Sequence, residues 1–277
     1  MKKIGIQGIK GSYHDQVARE YFGDCVKINE FLSFDDLADS VVSGSSDFGI
    51  MAIENSIAGS IIPNYALIDN LNLHIVGECF VNINHQLMAL PGVDFNDLEI
   101  VSSHPMALLQ CKKFFKDFPK ITLVEAKDTA EEAKRISNNK IKNFGAIASV
   151  EASKLYQLNI IHKNIQTIEK NETRFVVICK EKISKNENFD KASLKFSLSH
   201  KTGSLASVLT ILKDYNLNLT KIQSLPIIEF PWKYSFFIDT TFSSIHDFNK
   251  AVDLISHKAE SLKLLGIYKN QMKWLNM

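Results

Sequence analysis

The stretch IGIQGIKGSYHDQVAREYF, residues 4–22, decides how this chain is read. A short apolar run around Ile4 and Ile6 is followed by Gly8 and Gly11, and from Ser12 onward apolar residues recur at helical spacing. The pattern predicts a strand, a glycine turn and a helix over 12–22 that Ser12 caps. Such loops often cradle a phosphate, but a dinucleotide loop reads GxGxxG and a triphosphate loop closes on GK[ST]. Here the order is GxxGxxG and then Ser12. The spacing therefore argues against a nucleotide, and the free N–H groups of the turn and helix start are left open to another anion.

The same alternation continues outward. CVKI (25–28) and FGIMAI (48–53) read as strands and 34–42 as a helix capped by Ser33. Residues 73–90 read as long paired or connecting strands, EIVSS (99–103) as a strand, and 105–115 as a helix with Pro105 in its first turn. ITLVEA (121–126), a helix at 128–136 and GAIAS (145–149) follow. Repeated β-α-β order predicts mostly parallel, helix-covered sheets in two α/β lobes, with a small-molecule site in the cleft between them. RFVVICK (174–180) is the last strand of this series, and the polar, aperiodic EKISKNENFDK after it reads as a linker, placed at 182–192. Beyond it come a strand at 195–200, a helix at 204–215, strands at 219–228 and 234–241, a helix at 245–259 and a strand at 262–268. That βαββαβ order is the ferredoxin-like split pattern.

Composition narrows the class. A chain of 277 residues corresponds to about two domains. Net charge of +1 gives no electrostatic case for nucleic acid or an acidic membrane surface, which leaves small molecules as the expected partners. Cys25, Cys79, Cys111 and Cys179 form no CxxC pair, as expected of reduced thiols with no metal site. Lys2 and Lys3 precede an apolar run that Gly5, Gln7 and Gly8 break at once, and no membrane-length apolar run follows. A cytoplasmic protein is expected.

Five segments, GIKGSYH (8–14), IENSIAGSI (53–61), SSHPMALLQC (102–111), AIASVEASKLYQL (146–158) and NETRFVVI (171–178), together resemble the prephenate dehydratase family. TGSLASVL (202–209) and NLTKIQSLP (218–226) are similar to the ACT regulatory domain that follows the catalytic domain there. The resemblance implies conversion of prephenate to phenylpyruvate with loss of carbon dioxide and water, without a cofactor. It implies a periplasmic-binding-protein-like catalytic domain over 1–181, with one lobe at about 1–77 plus 168–181 and the other at about 78–167. A ferredoxin-like ACT domain at 193–277, feedback inhibition by L-phenylalanine, and a homodimer or homotetramer through both domains complete the expectation.

The resemblance makes Thr173 the catalytic threonine at the departing hydroxyl. An alcohol is too weak an acid to protonate that group unaided, so hydrogen bonding and orientation are its expected work. Arg174 suits either a bidentate contact with a carboxylate or a supporting ion pair; adjacent strand residues face opposite sides, so both touch substrate only where the strand begins or bends. Asn55 follows a buried strand and is expected as an amide donor; Glu54 is an acid if burial raises its pKa, or else a brace. Ser103 and Gln110 match family positions linked to the active site, beside a helix start that favours an anion. Met106 stands where the family usually has Gln, Ala52 where many relatives have Pro, and Ala58 and Asn64 where Glu and Thr are common. His104 either titrates in the site or caps the helix. Gly11, Ser12, Tyr13, Ser56 and Phe175 complete the expected lining, with a plain cap and a packed ring the alternatives for Ser12 and Tyr13. For phenylalanine the expected contacts are Gly203, Ser204, Leu205, Asn216 and Asn218, while QSLP (223–226) replaces the family's ESRP. An arogenate-using dehydratase and a non-enzymatic two-lobed sensor remain the alternatives. An NAD-linked dehydrogenase is disfavoured by the glycine order.

Overall fold

The computed structural model describes residues 1–181, 188–227, 230 and 232–272. The first sheet is built from β1 (Lys3–Gln7), β2 (Lys27–Phe31), β3 (Phe48–Asn55), β4 (Gly59–Ser60), β5 (His74–Asn82) and, returning late in the chain, Glu172–Cys179. Helices α1 (Tyr13–Phe22), α2 (Phe34–Val42) and α3 (Ile62–Asn70) connect these strands. Ser12 caps α1 by accepting the Asp15 N–H, and Ser33 caps α2 by accepting that of Asp36, so both starts fall where the sequence predicts.

The second sheet takes β6 (Gln86–Ala89), β7 (Ile100–Ser103), β8 (Thr122–Glu125), β9 (Phe144–Ala148) and β10 (Asn159–His162), joined by α4 (Pro105–Phe115), α5 (Thr129–Asn139) and α6 (Val150–Leu155). The Glu172–Cys179 strand is β11. The orders are β2-β1-β3-β11-β5, with β4 on β3, and β10-β6-β9-β7-β8. β1 runs parallel to β2 and β3, and β7 runs parallel to β8 and β9, whereas β6 opposes both its neighbours. Both faces of β6 are buried: Leu87 and Ala89 join Leu108 and Phe115 of α4, while Met88 and Leu90 join Ala133 and Ile136 of α5. This is why QLMA carries no polar face after Gln86.

The third sheet is β12 (Lys191–Ser197), β13 (Asn218–Pro226), β14 (Tyr234–Thr241) and β15 (Ser261–Tyr268), in the order β13-β14-β12-β15 and antiparallel throughout. With α7 (Ser204–Asp214) and α8 (Ile245–Lys258) it forms the expected βαββαβ arrangement. β12 begins at Lys191, inside the stretch read as linker; residues 182–187 of that stretch and the expected strand end at 228 lie outside the described residues.

Two compact units emerge by contact, Met1–Gly59 with Phe80–Phe175 and Ser60–Cys79 with Val176–Met277. Within the second unit Ala192, Leu194 and Phe196 of β12 enter the core with Val208, Leu212, Phe248 and Ile255. The opposite face of β12 is buried as well. Lys191 donates to both carboxylate oxygens of Glu78 at 2.9 and 2.8 Å, with both side chains fully buried. Ser193 hydrogen-bonds to the Tyr268 hydroxyl at 2.6 Å, and Lys195 and Lys263 both bind Asp69. Gly266 meets this segment so closely that a methyl group there would lie 1.9 Å from the Ile75 carbonyl oxygen. The four cysteines are all free thiols, and no helix among the described residues is long and apolar enough to cross a membrane.

Candidate active site

Asn55 ends β3 beside the start of β11, and its amide is held by two backbone donors. The N–H groups of Ile57 and Ala58 reach its Oδ1 at 3.0 and 2.9 Å, which fixes which end of the amide is oxygen. Its Nδ2 therefore donates, at 2.9 Å to Thr173 Oγ1 and at 2.7 Å to Asn171 Oδ1. Ser56 bonds reciprocally with Glu172, N–H to carbonyl at 2.8 Å and Glu172 N–H to the Ser56 hydroxyl at 2.9 Å, locking the loop to the first residue of β11. Because the Thr173 oxygen accepts the Asn55 N–H, its own O–H is left to donate; no acceptor takes it among the described residues.

The chain of amides continues across unit one. Asn171 Nδ2 donates to Gln110 Oε1 at 2.8 Å, and His85 Nε2 lies 2.8 Å from the same oxygen. Gln110 comes from α4, and His85 from the connection between β5 and β6. Tyr13 stands beside this histidine, ring centroids 6.2 Å apart, and donates its hydroxyl to the Asn84 carbonyl at 2.8 Å. Burial pushes the Tyr13 phenol up and the His85 imidazole down, the latter opposed by the Gln110 hydrogen bond. Thus Asn55, Thr173, Gln110 and Tyr13 are brought together, joined by His85 and Asn171, which sequence reasoning did not single out. Asn171 lies in the quoted NETRF motif; the polar pair His85-Gln86 ahead of the apolar LMAL was the only local signal for His85.

Other expected residues are placed differently. The anion cradle of the opening loop is already filled by the chain. Gly8 N–H donates to the Phe31 carbonyl, Lys10 N–H to Glu30, and Gly11 N–H to the buried Asp15 carboxylate at 2.9 Å. Ser149 and Tyr156 donate their hydroxyls to the carbonyls of Gly11 and Lys10, both at 2.6 Å, so the loop is a seam between the first and second sheets' layers and not a carboxylate site. Gly8 sits at φ +89°, and a methyl there would come within 2.7 Å of Asp128 Oδ2. Ser12 is 2% exposed and serves as the helix cap.

Ser103 is fully buried and donates its hydroxyl to the Ile147 carbonyl at 2.6 Å, a link between β7 and β9 where a cleft-facing hydroxyl was expected. Phe175 is 2% exposed with its ring 4.9 Å from His14, so it supports the strand from the core where it was expected to line the site. Arg174 is buried and follows Thr173 at the start of β11. Glu54 is half-buried one residue before Asn55, on the other face of β3. His104 caps α4, its Nδ1 accepting the Met106 N–H at 3.2 Å; Met106 is exposed at the helix start.

The residues expected to contact phenylalanine occupy two ends of α7. Gly203 is its N-cap residue and Ser204 and Leu205 open it, whereas Asn216 follows its C-terminus and Asn218 starts β13. Eleven helical residues at roughly 1.5 Å each separate the two ends by about 16 Å, so within one chain they cannot hold the same amino acid.

Residues 4–183 match the family described as prephenate dehydratase. The Arabidopsis thaliana protein named arogenate dehydratase/prephenate dehydratase 2, chloroplastic, is 34% identical over 279 residues, covering 96% of this chain and 72% of that one. A solved structure described as GqqA, a novel type of quorum quenching acylase, aligns with a TM-score of 0.85 at 26% identity, covering 97% of this chain and 98% of that chain. The prephenate dehydratase of Arthrobacter aurescens in complex with L-Phe aligns with a TM-score of 0.86 at 21% identity, covering 97% and 90%. With nearly two thirds of its length inside the family match and a named relative 34% identical over 96% of this chain, the chain belongs to the prephenate dehydratase family.

Proposed function

We propose that the chain is a cytoplasmic enzyme that converts prephenate to phenylpyruvate, carbon dioxide and water at the centre built on Asn55 and Thr173. The observation that carries this reading is the direction of one hydrogen bond: Asn55 donates to Thr173 Oγ1, which frees the threonine proton. Prephenate bears a ring hydroxyl opposite a ring carboxylate. When the carbon–carbon bond to that carboxylate breaks, its electron pair enters the ring, hydroxide leaves from the opposite carbon, and one proton turns it into water. The carboxylate departs as neutral carbon dioxide, and the ring becomes aromatic without any redox change. A donor at the leaving oxygen stabilises charge that develops only in the transition state. Thr173 fills that place by orienting and hydrogen-bonding the hydroxyl. The Gln110 N–H groups are available to the carboxylate that stays with the product. Arg174, Glu54 and Ser103 support the frame from its buried side.

The test is to incubate the purified protein with prephenate and follow phenylpyruvate. Turnover that falls steeply in Thr173→Val is expected; no phenylpyruvate from the wild type, or an undiminished Thr173→Val, overturns the reading or its centre. The plant relative makes arogenate the second substrate to compare, since an amino group in place of the keto group is the only difference. Side-by-side rates decide between them. The neighbour described as an acylase adds one further arm, hydrolysis of an N-acyl amide, for which no product is expected.

Beyond a catalytic part at 1–181 and a linker, the βαββαβ part is proposed as an ACT domain that binds L-phenylalanine between two copies of the chain. Its support is the separation of Gly203, Ser204 and Leu205 from Asn216 and Asn218 along α7, which calls for the two ends to come from different chains. L-Phenylalanine is expected to lower activity and change hydrodynamic size together; a response in neither refutes it.

A further inference from the structure

The amide chain has a direction that reaches beyond Asn55. Its Oδ1 is pinned by two backbone N–H groups, so Nδ2 must face Asn171 Oδ1, and Asn171 Nδ2 must face Gln110. The Gln110 atom in the chain is therefore its oxygen, which accepts only. His85 Nε2, 2.8 Å away, has to bring the hydrogen. Its other ring nitrogen, Nδ1, is buried and has no hydrogen-bond partner among the described residues. A proton added there would find no acceptor, so the ring stays neutral. The backbone that carries the ring is held as well: the His85 main-chain N–H donates to Gln166 Oε1 at 2.9 Å, and its main-chain carbonyl accepts the Ile165 N–H at 3.0 Å.

We infer that His85 is a positioning residue of this centre, held as the neutral Nε2–H tautomer, which anchors the Gln110 carbonyl so that the Gln110 N–H groups are presented to substrate. Neutrality serves the reaction, because a cation here would hold the carboxylate that must leave uncharged. His85 acts only through Gln110. The kinetic part of this inference rests on the proposed dehydratase reading, whereas the tautomer does not.

Nitrogen-15 NMR of histidine-labelled protein tests the tautomer directly, with the His85 signals assigned by their loss in His85→Gln. A protonated Nε2 and a bare Nδ1 from pH 7.5 to 5.5 are expected; the opposite tautomer or a charged ring overturns the inference. In kinetics, His85→Leu is expected to lower kcat about 10- to 100-fold, as loss of positioning does, with KM moving less than about threefold. His85→Gln keeps a donor near the same place and is expected to restore most of the rate. In a Gln110→Ala background His85→Leu is expected to cost less than about twofold more, because its target is gone. An equal loss in both backgrounds, or a His85→Gln as poor as His85→Leu, refutes the role. Should His85→Leu fail to fold, the glutamine variant and the NMR measurement still decide. If the wild type turns over no prephenate, the dehydratase reading fails while the tautomer measurement stands on its own.

Discussion

Exchanging Asn55 for Asp changes one atom's hydrogen-bonding sense and almost no volume. The oxygen that accepts from Ile57 and Ala58 is kept, but the group facing Asn171 Oδ1 at 2.7 Å and Thr173 Oγ1 at 2.9 Å changes from donor to acceptor. Two acceptors then oppose each other at Asn171, and Thr173 turns its proton toward the new carboxylate. The departing hydroxyl of substrate loses its donor. Removing one preorganised donor of this kind costs about 10²- to 10³-fold in kcat, roughly 2.7–4 kcal/mol. The fold loses less, about 1–3 kcal/mol for the broken Asn171 link, because the two backbone bonds and the threonine bond satisfy the carboxylate. The assay is the initial rate of phenylpyruvate formation across a range of prephenate for Asn55→Asp, Thr173→Val and the double variant, beside thermal unfolding of each. Both single variants are expected to fall by a similar factor with KM little changed. The double variant should be no worse than the poorer single by more than about threefold, since both substitutions remove the same proton. A folded Asn55→Asp within about threefold of wild-type kcat refutes the reasoning, as does a double variant in which the two losses multiply.

Gly8→Ala places a methyl 2.7 Å from Asp128 Oδ2 at a positive φ, and Asp128 caps α5 through the Glu131 N–H; the urea midpoint should drop by the equivalent of about 1–3 kcal/mol, and an unchanged midpoint contradicts the seam described for this loop. Lys191→Met removes the ammonium that donates to both oxygens of the buried Glu78 carboxylate and should cost about 3–5 kcal/mol in denaturant unfolding, while adding Glu78→Leu should recover much of it; a mild single variant would show that the pair is not buried as described. Burial lowers the His14 imidazole to about 3 from its ordinary 6.5, between the rings of Phe34 and Phe175. The folded value lies below the unfolded one, so this contribution is complete above pH 6.5 and is lost as pH falls toward 3. From pH 7 to 5 it should remove about 2 kcal/mol of stability, and His14→Phe should flatten that part of the pH profile; an unaltered slope argues against a buried neutral ring.

Local chemistry made several elements legible without coordinates. Ser12 and Ser33 announce α1 and α2, and Pro105 announces α4, because a side-chain cap or a fixed φ acts within one turn. β2 lies at Lys27–Phe31, later than the 25–28 expected, since an edge strand with Lys27, Asn29 and Glu30 lacks a clear apolar run. The sequence pattern announces neither α3 nor α6 nor β10. In α3 no side chain caps the start, and its apolar residues do not gather on one face. Part of the site was legible in the same way: Asn55, Gln110 and Thr173 stand in quoted motifs, while His85 and Asn171 acquire meaning only from partners such as Gln110, 25 and 61 positions away.

The sequence by itself determined the order of strands and helices, the split pattern of the last third and the polar residues available for chemistry, because periodicity, caps and turn residues act over a few neighbouring positions. What fills the space beside a group was decided only by tertiary structure. The opening glycine loop had free N–H groups on paper, yet Asp15, Glu30 and Phe31 occupy them. The polar face of β12 became the buried place of a Lys191–Glu78 pair because a segment more than a hundred residues earlier covers it. The direction of the Asn55 amide, and with it the freedom of the Thr173 proton, follows from two backbone N–H groups and a neighbouring strand that meet only when β3 and β11 lie side by side.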